Sequence, residues 1–314
     1  MADNEVFDVV IVGGGPAGLT AGIYCQRAAL RTVLFEKGLL GGQIAISKDV
    51  ENYPGVEGIT GFDLAEKMLG HARHFGLNVV QQEVAEVVAG PALHSVKLAD
   101  GRVLRTVALI LAAGGSVRKL GIPGEGEYLG LGVSYCATCD GFFFRGKTVV
   151  AVGGGDTAVE EALYLSRLVK KVYLVHRGNT LRASKLLQGR LMSEPSIEIF
   201  WDTVITEIKG SDSSVESVSF ENTRTRQKGE LATDGVFIFI GYSPNNQLIP
   251  SGVRMNEQGF VITDEKCATN VPGIFAIGDI RQKFASQIVI AAADGCIAAL
   301  AAAHYVEEHK AKGL

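Results

Sequence analysis

Two glycine-rich loops with the same spacing constrain this chain more than any other feature. The first reads Gly13-x-Gly15-x-x-Gly18 and the second, 140 positions later, reads Gly153-x-Gly155-x-x-Ala158. Each loop follows an apolar β-branched run, Val9–Val12 or Val149–Val152, and precedes a helix-like stretch. In such a strand–turn–helix unit, glycines let the main chain approach a pyrophosphate at the N-terminus of the helix. The repeat therefore predicts two dinucleotide-binding units.

The residue that ends the second strand differs between the two units. In the first unit it is Glu36, 23 positions beyond Gly13, where a carboxylate can accept hydrogen bonds from an adenosine ribose. The same offset from Gly153 leads to His176, and Arg177 follows it. A cation there can pair with a ribose 2′-phosphate. We therefore expect one non-covalent FAD per chain in the first unit and NADPH in the second.

A third signal lies near the C-terminus, where the apolar run Ile274–Ile277 ends on Gly278-Asp279. An acid at such a strand end can reach a flavin lying along the sheet, whereas a simple turn-forming Gly-Asp pair is the alternative. If this strand belongs with the first loop, the second unit is inserted into the first. We expect an α/β protein with two Rossmann-like dinucleotide-binding domains: an FAD domain of residues 1–116 and 248–314, and an NAD(P)H domain of residues 117–247.

The expected NAD(P)H domain carries a pair of cysteines, Cys136 and Cys139. Their spacing suits either disulfide exchange or half of a zinc site. The sequence has no second Cys-x-x-Cys to complete a four-cysteine zinc site, so we expect no metal and favour redox chemistry. A zinc or redox-sensing module without turnover is the alternative. Cys25, Cys267 and Cys296 lie alone among apolar or small residues and predict inert packing.

Composition narrows the possible partners. The chain has 47% hydrophobic residues and 39 glycines, which fits buried parallel sheets, and its net charge is −4. Without a basic block interleaved with aromatics, we expect no nucleic-acid surface. The start, 1–7, lacks the basic flank of a secretory signal, so we expect a cytoplasmic protein. The apolar runs 288–293 and 296–303 are separated by Asp294-Gly295 and are each too short to span a bilayer, so we expect one or two core helices and no membrane partner.

With these residues in place, the whole chain resembles the low-molecular-weight thioredoxin reductases of bacteria and archaea, which are pyridine nucleotide-disulfide oxidoreductases. The resemblance implies an FAD enzyme that reduces thioredoxin or a thioredoxin-like protein, a homodimer, and a domain rotation that brings nicotinamide and disulfide to the flavin in turn. The matching segments are the two glycine loops, Gly41-Gly42-Gln43 to Glu51-Asn52-Tyr53-Pro54-Gly55, Cys136 to Asp140, and Ala268-Thr269-Asn270-Val271-Pro272-Gly273 to Asp279.

The resemblance also implies roles for single residues. Cys139 would accept electrons beside the flavin C4a, Cys136 would attack the thioredoxin disulfide, and Asp140 would exchange a proton. Motif and resemblance together predict that FAD contacts Gly13, Gly15, Pro16, Ala17, Gly18, Glu36, Lys37, Gly42, Gln43, Asn52, Gly278, Asp279, Gln287 and Ile288. They predict that NAD(P)H contacts Gly153, Gly155, Asp156, Thr157, Ala158, His176, Arg177 and Arg182.

Two positions depart from the family pattern. NADPH-dependent members usually carry a second Arg where this chain has Gly178, and relatives commonly carry Arg where it has Ser286, before Gln287. Loss of one charge-assisted phosphate contact costs about 1.5–3 kcal/mol. Because Arg177 and Arg182 remain, NADPH is still the expected donor. NADH, reduced ferredoxin or another reductant is the alternative. The related ferredoxin or flavodoxin reductases lack the cysteine pair, so that pair argues against them.

Overall fold

The computed structural model of the protein describes residues 5–47 and 50–312. The chain divides into two compact units, one running up to Ser116 and resuming at Ser243, the other running from Val117 to Tyr242. The second unit is therefore continuous in sequence and inserted into the first. The sequence-based boundary after Gln247 falls a few residues beyond this second crossing.

The helices and strands alternate through most of the chain. Before the first crossing the elements are β1 (Val6–Val12), α1 (Pro16–Arg27), β2 (Thr32–Glu36), α2 (Gly61–His74), β3 (Asn78–Gln81), β4 (Val84–Val88), β5 (His94–Leu98), β6 (Val103–Leu111) and β7 (Gly115–Val117). The inserted unit and its return contain β8 (Val133–Ser134), α3 (Ala137–Asp140), β9 (Thr148–Gly153), α4 (Asp156–Leu165), β10 (Lys171–Val175), α5 (Lys185–Met192), β11 (Ile197–Phe200), β12 (Thr203–Ser211), β13 (Ser214–Asn222), β14 (Lys228–Ala232), β15 (Gly235–Phe239) and β16 (Tyr242–Pro244). The chain ends with β17 (Ile274–Ala276) and α6 (Ile288–Ala311).

The first unit is built on a seven-stranded sheet with the order β3-β2-β1-β6-β5-β4, in which β17 also pairs with β6. Strand β6 is long enough to pair twice: its first half is antiparallel to β5, and its second half is parallel to β17. The strands β3, β2, β1, β6 and β17 therefore form a parallel set. On β1, Val9 and Ile11 pack with α1 and α6, whereas Val10 and Val12 face the antiparallel strands.

The inserted unit repeats this arrangement. Its main sheet has the order β11-β10-β9-β15-β8, and every pairing in it is parallel. Strand β9 takes the place of β1, β10 that of β2, and β15 that of β6. The antiparallel sheet β12-β13-β14 accompanies it. The repeat seen in the sequence is thus a repeat of structure, which confirms the predicted fold class.

Helix α6 is a single helix of 24 residues that runs through Asp294 and Gly295, so the two apolar runs form one helix, the first of the two expected arrangements. The Asp294 carboxylate forms an ion pair with Arg281 at 2.8 Å, so its charge is balanced. A Cβ atom on Gly295 would lie 2.3 Å from the carbonyl oxygen of Ala17, so glycine allows α1 and α6 to pack closely. By length and composition alone α6 could cross a membrane, but the paired acid and the packing on α1 are those of a core helix.

Two histidines are buried in the first unit, His94 on β5 and His309 near the end of α6. The Nε2 atom of each has no hydrogen-bond partner among the described residues. Burial lowers the pKa of His94, and the nearby His309 lowers it further. The main chain of Pro272 raises this pKa, but not enough to reverse the shift. His94 is therefore held as the neutral imidazole.

This buried imidazole should make the fold sensitive to acid. The unfolded chain binds a proton on His94 with a pKa of about 6.5, above that of the folded chain, so the free energy of unfolding should fall as the pH drops from about 7.5 to 5.5. Denaturation at each pH measures this slope. His94→Asn keeps an acceptor for the N–H of Gly90, which His94 Nδ1 now accepts, and should flatten the slope. The matched variant His71→Asn, at an exposed position on α2, should leave it unchanged; equal slopes in wild type and His94→Asn would contradict the assignment.

Candidate redox site and its nucleotide loops

The first glycine loop joins β1 to α1 at the carboxyl edge of the parallel strands. Gly13 has a φ of +115°, and a Cβ atom there would lie 2.2 Å from the carbonyl oxygen of Ala112. A Cβ atom on Gly18 would lie 1.9 Å from the carbonyl oxygen of Gly13. Helix α1 starts at Pro16, which has no N–H group to satisfy, so the remaining N–H groups of the first turn can face an anion. The loop thus has the close backbone that a pyrophosphate needs.

Glu36 ends β2 beside this loop. Its Oε2 accepts the N–H of Gly14 at 2.7 Å, and its Oε1 accepts the N–H of Gly38 at 2.7 Å. The carboxylate therefore braces both the glycine loop and the turn after β2. Because each carboxylate oxygen has two lone pairs, it can accept a ribose hydroxyl as well. The neighbouring Lys37 is exposed, and its Nζ lies 3.5 Å from Oε1 of Glu83.

Two residues expected at the flavin ring, Asn52 and Gln287, come together from distant parts of the first unit. The Nδ2 of Asn52 donates to Oε1 of Gln287 at 3.2 Å, across 235 positions of sequence. Ile288 follows as the first residue of α6. Gly42 opens a short 3-10 helix with a φ of +58°, and Gln43 within that helix is exposed.

The strand-end acid Asp279 belongs to a partly buried charge network that sequence reasoning missed. The Nζ of Lys283 lies 2.9 Å from Oδ1 of Asp279 and 3.6 Å from Oδ2 of Asp294. Asp294 also accepts the N–H of Gly278 at 3.0 Å and pairs with Arg281. Two carboxylates and two cations balance, which burial requires. An acid within the apolar run of α6 was the available signal, because a buried carboxylate needs partners.

The second glycine loop joins β9 to α4. A Cβ atom on Gly153 would lie 2.5 Å from that of Ala158, so the loop and helix are in close contact, as at the first loop. Gly155 precedes α4, whose first two residues, Asp156 and Thr157, are exposed. The Oδ1 of Asp156 accepts the N–H of Ser184 at 2.7 Å. Asp156 thus links the start of α4 to the chain that follows Arg182.

His176 is buried and turned toward the main chain. Its Nδ1 lies 2.9 Å from the carbonyl oxygen of Gly153, and its Nε2 lies 2.9 Å from that of Thr180. The ring therefore connects the glycine loop to the segment that carries Arg177 and Arg182. Arg177 and Arg182 are exposed, and their side chains make no salt bridge with any residue of 5–47 or 50–312. Both guanidinium groups can therefore turn toward a phosphate.

Cys136 and Cys139 form a disulfide at the start of the short helix α3, with their Cα atoms 5.3 Å apart. Cys139 is exposed and Cys136 is half-buried. The hydroxyl of Ser134 donates to Oδ2 of Asp140 at 2.5 Å and accepts the N–H of Cys136 at 3.0 Å. Ser134 thus connects the expected proton carrier to the main chain of the disulfide. The carboxylate of Glu161 accepts the N–H of Ala137 at 2.9 Å.

Ser134 and Glu161 were not expected from the sequence. Ser134 stands two residues before the first cysteine, which could have marked it, whereas nothing in the sequence places Glu161 near the pair. Two of the other thiols are unsuited to redox chemistry: burial raises the pKa of Cys25 to about 12 and that of Cys267 to about 11. Among the described positions, no three His, Cys, Asp or Glu residues form a group that could hold a metal ion.

Comparison with known proteins places this geometry in a family. The model of the family described as pyridine nucleotide-disulphide oxidoreductase matches residues 7–295. A curated thioredoxin reductase from Bacillus subtilis is 46% identical over 98% of this chain and 97% of its own length, and one from Helicobacter pylori is 44% identical over 97% of this chain and 100% of its own.

The same likeness holds in three dimensions. The crystal structure of thioredoxin reductase from Streptococcus pyogenes is 42% identical, with a TM-score of 0.94 over 97% of this chain and 99% of that one. The full-length match includes both glycine loops and the cysteine pair. The chain therefore belongs to the pyridine nucleotide-disulphide oxidoreductase family and, within it, to the low-molecular-weight thioredoxin reductases.

Proposed function

We propose that the protein is an FAD-dependent enzyme that takes electrons from NADPH and passes them, through the Cys136–Cys139 disulfide, to thioredoxin or a thioredoxin-like protein. The observation that carries the proposal is the formed disulfide, with Asp140 held beside it by Ser134, in the same unit as a glycine loop bordered by exposed arginines. The enzyme would work in the cytoplasm.

The first unit fits FAD. Its loop has no room for a side chain at Gly13 or Gly18, Glu36 can accept a ribose hydroxyl, and Asn52 and Gln287 meet where the ring is expected. Asp279, held by Lys283, would receive a hydroxyl or phosphate-side group of the flavin chain. Bound FAD supplies a two-electron carrier between nicotinamide and disulfide.

The cysteine pair would carry the exchange with the partner. In the reduced protein, the Cys136 thiolate attacks the partner disulfide and one partner sulfur leaves as a thiolate. The Cys139 thiol then displaces the second partner sulfur and restores the Cys136–Cys139 bond, so the pair loses two electrons and the partner gains two. Asp140 would exchange a proton with these sulfurs. The bond from Ser134 to Oδ2 orients its carboxyl for that task.

The second unit would bind the nicotinamide dinucleotide. The pyrophosphate would lie on the loop from Gly153 to Gly155, at the start of α4. Arg177 and Arg182 would meet the 2′-phosphate of NADPH, and His176 would hold their segment against the loop. Gly178 leaves this site with one cation fewer than the family pattern.

A second copy of the chain is the proposed partner of α6. Val289, Ile297 and Leu300 are 43%, 40% and 51% exposed, and with Ala293 they form an apolar stripe at helical spacing on the solvent side of this helix. A stripe of this kind is what a homodimer contact would cover.

Serine substitutions test the cysteine pair. Cys136→Ser and Cys139→Ser should each abolish thioredoxin reduction, because exchange needs both an attacking and a resolving sulfur. Bleaching of the flavin by its donor, followed by stopped-flow absorbance, should survive in both. Cys296→Ser, at a cysteine outside the disulfide, should keep normal turnover as the control. Near wild-type turnover in either Cys136→Ser or Cys139→Ser would contradict the proposed dithiol mechanism.

Glu36→Ala should weaken FAD binding roughly ten- to a hundredfold, since a charge-assisted hydrogen bond contributes about 1.5–3 kcal/mol. Flavin content after dialysis and the dissociation constant of added FAD measure the change. Glu83→Ala removes the same charge from an exposed position of the same unit and should retain FAD. Because Glu36 also braces Gly14 and Gly38, the melting temperature of the apoprotein shows whether the loop itself has loosened. A Glu36→Ala protein that binds FAD as tightly as Glu83→Ala would refute the site.

The donor is tested at Gly178. A Cβ atom there would lie 3.3 Å from Nε2 of His176, so Gly178→Ala serves as the matched control for Gly178→Arg. Relative to the alanine variant, the arginine variant should lower the Michaelis constant for NADPH roughly ten- to a hundredfold and leave that for NADH unchanged. Added salt should shrink the difference. If reduced ferredoxin bleaches the flavin rapidly while neither nicotinamide does so in any variant, NADPH is not the donor.

A further inference from the structure

We propose that Glu161 is a positioning residue of the Cys136–Cys139 pair, and that its buried carboxylate lowers the reduction potential of this disulfide. The proposal concerns the same pair as the proposed function and rests on it for its role in turnover. Its physical basis, the placing of an acid against the main chain of the cysteine turn, is independent of any donor or partner.

Glu161 lies in the middle of α4, the helix that follows the second glycine loop, and α3 packs against this helix. Its Oε2 accepts the N–H of Ala137 at 2.9 Å, and the main chain of Thr138 also bonds to the carboxylate. These are the two peptide groups that directly follow Cys136. The neighbouring Glu160 is exposed, whereas Glu161 is half-buried.

The first N–H groups of a turn that begins at a cysteine ordinarily stabilise its thiolate and lower its pKa. In this chain two of them face a carboxylate instead. The N–H of Cys139 donates to Sγ of Cys136 at 3.2 Å, and the hydroxyl oxygen of Thr138 lies 3.4 Å from the same sulfur. A thiolate formed at Cys136 would therefore lack two favourable donors and would face a negative charge across one peptide unit.

This arrangement favours the disulfide over the reduced pair. Reduction breaks the S–S bond, adds two electrons supplied by the flavin under the proposed function, and with one proton leaves one thiol and one thiolate. An adjacent carboxylate destabilises that thiolate, so the reduced pair gives up its electrons more readily to a partner disulfide. Burial already raises the pKa of Glu161, with Glu160 adding to the shift and the bonds from Ala137 and Thr138 offsetting it in part.

Glu161→Gln tests the proposal, because it keeps an oxygen acceptor for Ala137 and removes the charge. Glu160→Gln is the matched control, with the same charge change one residue away in an exposed position. The full-length reduced protein is treated with iodoacetamide over a range of pH, and the peptide holding both cysteines is followed by mass spectrometry. The dithiol–disulfide ratio is measured in glutathione buffers.

We expect Glu161→Gln to raise the alkylation rate at neutral pH by roughly three- to tenfold, to move the alkylation profile to lower pH, and to shift the equilibrium toward the dithiol by a similar factor. Glu160→Gln should match wild type in both measurements. Asp140, the acid of α3 itself, is present in all variants and does not contribute to the difference.

Glu161→Asp separates charge from packing, because it keeps the carboxylate on a shorter side chain. It should stay closer to wild type than Glu161→Gln does. Alkylation and equilibrium values for Glu161→Gln that equal those for Glu160→Gln would overturn the proposal, and so would equal values for the Asp and Gln variants. Neither result would contradict the proposed function, which is tested separately by the loss of thioredoxin reduction in the serine variants.

Discussion

A side chain cannot be placed at Gly13 or Gly18, because its Cβ atom would enter the carbonyl group of Ala112 or of Gly13. That steric limit holds β1, the loop and α1 in one close arrangement, and Gly153 with Ala158 sets the same arrangement between β9 and α4. Parallel strands beside each loop end at the same edge of the sheet, so the residues that follow them gather at the loop. Glu36 reaches the first loop in this way and His176 reaches the second, and Gly278, just before Asp279, lies beside Ala17.

Carboxylates then hold these loops in place. Glu36 accepts two main-chain N–H groups, Asp294 accepts that of Gly278, and Asp156 accepts that of Ser184. Glu161 does the same for the cysteine turn. A charged acceptor on a main-chain N–H forms a stronger bond than a neutral one, so a few acids can order several irregular segments. The cost is a buried charge, which Arg281 and Lys283 offset around Asp294.

The sequence predicted the fold class, the duplicated unit and the family, because these depend on local patterns: a strand, a glycine spacing and a helix. It did not predict contacts that depend on packing between distant elements. Glu161 meets Ala137 only because α3 lies on α4, and Lys283 meets Asp294 only because the turn after β17 folds back on α6. The direction of His176 depends on where the chain returns at Thr180. The continuity of α6 depends on the partners of Asp294, which an apolar run with one acid does not reveal.

Under the proposed function, a flavin and the Cys136–Cys139 disulfide exchange electrons within this chain. Anaerobic titration of the purified flavoprotein with a calibrated reductant, followed by absorbance, tests it most directly when wild type is compared with a variant in which both cysteines are serine. Wild type should take up two electrons for the flavin and two more for the disulfide, whereas the variant should take up only the two electrons of the flavin. Equal uptake by the two proteins would contradict it.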